Sequence, residues 1–121
     1  MPNQLRFTRG AGQDKTFRTV TQDAQQIAYG VTITITPVEQ VNLIQVAELT
    51  GGVSISSNNQ NLFIGDIVKF LFLGNGDTNE VTFGGGFATN STDFLVPNFG
   101  YIEFIFNGQY LQETGRALSA D

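Results

Sequence analysis

The sequence predicts an all-β fold: a small antiparallel β-sandwich, jelly-roll-like, with an extended N-terminal arm. Three observations predict it. Apolar and polar residues alternate with period two in short runs from Val31 onward, which is the pattern of half-buried strands. Clusters of Gly, Asn, Asp and Pro separate these runs at about 8–12-residue spacing, as in sandwiches and barrels. No stretch sustains the 3.6-residue periodicity of a long helix.

The strands follow in order. Val31, Ile33 and Ile35 alternate with Thr32, Thr34 and Thr36 until Pro37 ends the run, because proline cannot donate to a ladder. Residues 41–46 form the next apolar segment, and Gly51-Gly52 leads into the alternating run 53–56. The polar residues 57–61 read as a loop, 62–64 are a short apolar segment, and Gly65-Asp66 reads as a turn into the long strand 67–73. Gly74-Asn75-Gly76-Asp77 reads as a hairpin turn. Residues 80–83 form a strand that stops at Gly84-Gly85-Gly86, and 94–96 form a short one before Pro97.

Residues 101–106 and 109–113 flank Asn107-Gly108. Both turn residues tolerate positive φ, so the pair predicts a two-residue hairpin loop. Phe106 then faces Gln109, Ile105 faces Tyr110 and Phe104 faces Leu111. One face, with Ile102, Phe104, Phe106 and Leu111, belongs to the core. The other, with Tyr101, Glu103, Ile105, Tyr110 and Gln112, is mixed and suits a wet surface or an interface.

Composition narrows the function classes. At 121 residues and 40% hydrophobic, the chain fits a single domain with a real core. It contains no Cys and no His, so disulfides, thiolate chemistry, Ser–His–Asp and Cys–His sites and His-based zinc sites are excluded within one chain. No apolar run reaches the roughly 18–20 residues that cross a bilayer, and no signal-peptide h-region follows Met1, so a membrane partner is not expected. The expectation is a non-enzymatic protein without a cofactor.

Charge is unevenly placed. Residues 1–30 hold Arg6, Arg9, Lys15 and Arg18 against two acids, a net of +2, whereas the remaining 91 hold Lys69 and Arg116 against nine, a net of −7. The acidic body argues against nucleic acid as a partner. The basic segment reads either as a solvated terminus or as a tether to an acidic surface on a neighbour. The domain reading is an arm over 1–28, a β-sandwich over 29–116 and a tail over 117–121. Within the arm, residues 16–21 (Thr-Phe-Arg-Thr-Val-Thr) could form one short strand, and 22–28 a weak helical turn.

Few residues suggest chemistry. Residues 74–80 contain several oxygen ligands but lack the spaced acids of an EF-hand, so a plain turn is expected. Gly84-Gly85-Gly86 lacks the following Lys-Ser/Thr and helix of a phosphate cradle, and reads as a close-packed bend. Asp66 with Asp77, or Asp93 with Glu103, are carboxylate pairs that nothing in the sequence brings together. Tyr101 and Tyr110 could stack on sugar rings, yet tyrosines serve equally at protein interfaces. Strand 67–73 is the strongest assembly signal: Val68, Phe70 and Phe72 lie on one face, and Ile67, Lys69, Leu71 and Leu73 on the other. A strand apolar on both faces is covered twice, by another subunit or by the chain's own loops or arm.

The segment 36–113 resembles a recurrent β-module of tailed-phage virion proteins, including capsid decoration (cement) proteins, head fibres and tail-fibre domains. The resemblance rests on Leu49-Thr50-Gly51-Gly52-Val53-Ser54-Ile55, on Gly65-Asp66-Ile67-Val68-Lys69-Phe70, on Glu80-Val81-Thr82-Phe83-Gly84-Gly85-Gly86-Phe87, and on the closing run from Gly100 to Tyr110. A closing tyrosine stands where such modules often carry Trp, so a sugar-binding role is not transferred. The resemblance implies a homotrimeric, non-enzymatic component of the virion, on the capsid surface, with the major capsid protein as partner. In that setting Arg6, Arg9, Lys15 and Arg18 anchor the arm to the capsid, and Leu71, Leu73, Ile105 and Tyr110 make subunit contacts. The alternative is a receptor- or carbohydrate-binding domain of a head or tail fibre, with a glycan as ligand.

Overall fold

The computed structural model describes residues 25–91 and 94–119, and all of its regular structure is strand. Among the described residues ten strands occur: β1 (Gln25–Ala28), β2 (Thr32–Ile35), β3 (Val41–Ala47), β4 (Val53–Ser57), β5 (Ile67–Leu73), β6 (Asn79–Phe83), β7 (Phe87–Ala88), β8 (Leu95–Val96), β9 (Phe99–Phe106) and β10 (Leu111–Ser119). They build a six-stranded sheet in the order β1-β3-β5-β9-β10-β7 and a four-stranded sheet in the order β2-β4-β6-β8.

The all-β class holds, but the antiparallel, jelly-roll-like arrangement is corrected. From β1 to β6 the chain alternates between the two sheets, so β1-β3-β5 and β2-β4-β6 are parallel ladders. The result is a short coil stack of the β-solenoid kind. Parallel neighbours need a long crossover, and here each crossover contains a strand of the opposite sheet. Antiparallel pairing is confined to β5-β9, β9-β10 and β6-β8. Period-two alternation is the same in parallel and antiparallel half-buried strands. The short connections therefore read as hairpins when they are corners. The turn after Leu73 shows this: β5 and β6 do not pair across it but lie in different sheets.

Between the sheets lies one core. Ile44, Val46, Val68, Phe70, Phe72, Ile102, Phe104 and Leu111 of the larger sheet meet Ile33, Ile35, Val53, Ile55, Val81 and Val96 of the smaller. Aromatic rings fill its centre. Phe70 is stacked on Phe72 at 5.6 Å and meets Phe104 edge-on at 6.0 Å, while Phe83 packs at 5.1 Å on Phe104 and 5.0 Å on Phe87. Offset and edge-on pairs of this kind add to burial.

Several local readings change. Gln25–Ala28, placed within the arm, is a parallel edge strand on β3 with Ile27 packed on the core, so the sheet domain begins before residue 29. The apolar residues 62–64 lie in the connection before β5, with Leu62 buried and Phe63 and Ile64 exposed. The closing hairpin has a four-residue loop, with Leu111 opposite Phe106 and Gln112 opposite Ile105. The Asn107 side chain accepts hydrogen bonds from the Gln109 and Tyr110 amides at 2.9 and 2.8 Å. This side-chain turn lengthens the loop and shifts the register by two. A shift of two preserves face parity, so Leu111 stays in the core while Tyr110 leaves the ladder. The strand then passes a bulge between Glu113 and Gly115 and runs on through residues assigned to the tail.

Candidate functional site

The outer face of the six-stranded sheet is the site that the fold assembles. Register places its residues in rows. Val41, Ile67, Ile105 and Gln112 form one row, Leu43, Lys69, Glu103 and Gly115 the next, and Gln45, Leu71, Tyr101 and Ala117 the third. Leu73 opposite Phe99 extends the face beyond them. The residues of β3, β5 and β9 in these rows are half-buried, and Leu73 is exposed. Sheets with one solvated face normally alternate apolar-in with polar-out. Here the outward side of β5 and its neighbours Val41, Leu43 and Ile105 is apolar, interrupted by Lys69 and Glu103 in the central row and by Gln112 and Gln45 in the flanking ones.

Tyr101 is the most perturbed group on this face. Its hydroxyl donates a 2.9 Å hydrogen bond to Glu103 Oε1. Burial, then that bond, then the carboxylate charge push its phenol up to about 12. Neutral at physiological pH and amphipathic, Tyr101 has the character of an interface residue.

Of the expected contact residues, Leu71, Leu73 and Ile105 share this face. Tyr110 does not belong to it; it lies in the 107–110 loop, beyond the ladder. The paired positions of Tyr101 (opposite Leu71 and Ala117) and of Phe106, next to the Tyr110 loop, are five residues apart on β9. That is about 16 Å at strand rise, too far for the two tyrosines to form one stacking platform. Arg6, Arg9, Lys15 and Arg18 lie outside the described residues. Sequence reasoning missed Val41, Leu43 and Phe99, because membership of this face depends on which strand neighbours β5.

The other candidates resolve into structure. Asp66 and Asp77 flank opposite ends of β5, separated by the length of a seven-residue strand, about 23 Å, well beyond the spacing of a glycosidase pair. Asp93 lies outside the described residues. In the 74–80 turn, Asn79 Nδ2 donates to Asn75 Oδ1 at 3.0 Å and to the Asp77 carbonyl at 3.1 Å, so those oxygens are engaged with one another. Among the described residues no group of three His, Cys, Asp or Glu side chains could hold a metal ion. At the glycine run, Gly84 N donates to Ile55 O, Ser57 N to Gly85 O and Leu111 N to Gly86 O. That run is a close-packed bend binding three segments of backbone.

A polar cluster unseen in the sequence sits at the β10 bulge. Buried Glu113 holds Arg116 through bonds of 2.7 Å from Nε and from Nη2, and accepts the Asn90 amide at 2.9 Å. Arg116 also donates to the Ser91 carbonyl and lies 5.1 Å from the Phe94 ring centroid. The guanidinium bonds hold the Glu113 carboxyl below its ordinary value. This cluster straps Asn90, Ser91 and Phe94 to β10 and is structural in character.

Comparison of the sequence with protein-family models and with curated proteins finds no match.

Proposed function

We propose that the chain is a non-enzymatic assembly protein, a homotrimer whose subunits meet through the outer face of the six-stranded sheet. One observation carries this reading: β5 is apolar on both sides, fully buried on its inner side but only half-buried on its outer side, where Leu73 is exposed. Large exposed apolar faces mark association sites. A second copy is the occupant favoured by charge, because Lys69 and Glu103 stand side by side in the central row, so copies of the face can offer each other opposite charges. Three such faces around a three-fold axis would form a prism walled by β5 and β9.

The resemblance to phage decoration modules supplies the setting: a capsid-surface protein that stabilises the head, with Arg6, Arg9, Lys15 and Arg18 reaching an acidic surface of the major capsid protein. The uneven charge along the sequence, basic at its start and acidic beyond, supports that arrangement.

Light scattering coupled to size exclusion tests the assembly. The wild type should elute as a trimer at micromolar concentration, and Leu71→Lys with Ile105→Lys should give a folded monomer with a lower Tm that no longer depends on protein concentration. A wild-type monomer would overturn the reading.

A further inference from the structure

The end of the coil stack at β1 and β2 is open. Among the described residues, β1 pairs only with β3 and β2 only with β4. On the β4 side, the Val31 and Ile35 carbonyls accept from the Ser54 and Asn58 amides. Backbone groups alternate sides along a parallel ladder, so Thr32 and Thr34 direct theirs to the open side. This edge, Thr-Ile-Thr-Ile, has no charge, no proline and no bulge, the devices that normally protect an edge strand. A coil stack needs a cap at such an end.

Chain order indicates the cap. Consecutive coil strands alternate between sheets, so a strand preceding β1 belongs in the four-stranded sheet, beside β2. The corner from β1 to β2 takes three residues, 29–31; residues 22–24 leave the same interval before β1. We propose that residues 16–21, which lie outside the described residues, add to the open edge of β2 as a parallel strand of their own chain. Their alternation fits in one orientation. Phe17, Thr19 and Thr21 would turn toward the core beside Ile33 and Ile35, and Thr16, Arg18 and Val20 would turn outward. The outward set extends the hydroxyl rows formed by Thr32 with Ser54 and Thr82, and by Thr34 with Ser56. Arg18 would then place a charge on the new edge and discourage further pairing. This inference is independent of the assembly face; it takes Arg18 out of the proposed tether and leaves Arg6, Arg9 and Lys15 as its basic residues.

Amide hydrogen exchange by NMR on the intact chain tests it. The Thr32 and Thr34 amides should exchange at least tenfold more slowly than in an Arg18→Pro, Thr19→Pro variant. Two adjacent prolines ensure that one falls on the paired side. The Val68 and Phe104 amides, deep in the larger sheet, should be unchanged and report that the variant is folded. Cross-strand NOEs from residues 16–21 to Thr32 or Thr34 in the intact chain decide the matter if the variant does not fold. Rapid exchange of both threonines in the intact chain, or the absence of those NOEs, would overturn the pairing. Protection that disappears on dilution would assign the strand to a second copy and overturn it equally. A monomer with protected threonines would sink the assembly reading while leaving this one standing.

Discussion

The Tyr101 hydroxyl donates to Glu103 Oε1 at 2.9 Å, joining two side chains on the same outward face of β9. Burial, the bond and the carboxylate together raise the phenol to about 12, so folding favours its neutral form. A raised folded pKa contributes stability that is fully present below the ordinary tyrosine value of about 10 and lost as pH climbs toward 12. Ultraviolet titration, differenced against Tyr101→Phe, should show Tyr101 ionising near 12. Glu103→Gln should lower that midpoint, because it removes the charge and weakens the bond. A midpoint near 10 in the wild type would contradict the geometry.

Most strands were legible because period-two alternation survives any topology. The reading placed 67–73 at the bounds of β5 and assigned Ile102, Phe104, Phe106 and Leu111 to the core, where they lie. Sheet connectivity was not legible. Alternation says which side of a strand is buried, and nothing about whether the next strand folds back or crosses to the other sheet. β1 and β7 were missed for a local reason: Gln-Gln-Ile-Ala and Phe-Ala are too short or too polar to show a period, and their partners supply the ladder. Half of the candidate site followed from β5 alone, since Leu71 and Leu73 must face opposite Phe70 and Phe72. Val41 and Leu43 required knowing that β3 is its neighbour. Tyr110 was misplaced because the Asn107 side chain selects a longer loop than Asn-Gly usually closes.

Gly86 has a specific steric role. Its φ is +91°, and a Cβ there would lie 2.4 Å from the Ser57 carbonyl oxygen, whereas a Cβ on Gly85 meets nothing within 4 Å. Gly86→Ala must strain the backbone and push apart two segments that the bend joins. It should destabilise the fold by about 2 kcal/mol or more. Gly85→Ala should stay within about 0.5 kcal/mol of wild type. Urea denaturation of the two variants side by side gives the contrast.

Phe70 is fully buried and contacts the rings of Phe72, Phe83, Phe87 and Phe104. Phe70→Ala removes a ring at the centre of the aromatic cluster, and its neighbours cannot all relax into the space. A loss of about 3–5 kcal/mol is expected, with a Tm fall of more than about 10 °C. Val31→Ala, at a side chain 71% exposed, should change Tm by only about 2–3 °C at most. Calorimetry of both variants checks whether stability resides in the ring cluster.

Glu113 links pH to stability. Arg116 bonds lower its pKa most, the Asn90 amide and the cationic charge lower it further, and burial opposes them. A depressed folded pKa contributes stability that is present above the unfolded value of about 4.3 and lost as pH falls through the lower folded value. Glu113→Gln leaves Arg116 beside a neutral amide and should cost about 1–3 kcal/mol at pH 7, because the pair is only partly shielded from water. The variant should also lose less stability than wild type as pH falls below the unfolded carboxylate value of about 4.3, because there unfolding of the wild type takes up a proton that the folded Glu113 resists. Denaturant midpoints collected on either side of that value decide it. Parallel pH curves for the two proteins would show that the strap from β10 to Asn90 and Ser91 contributes nothing to acid sensitivity.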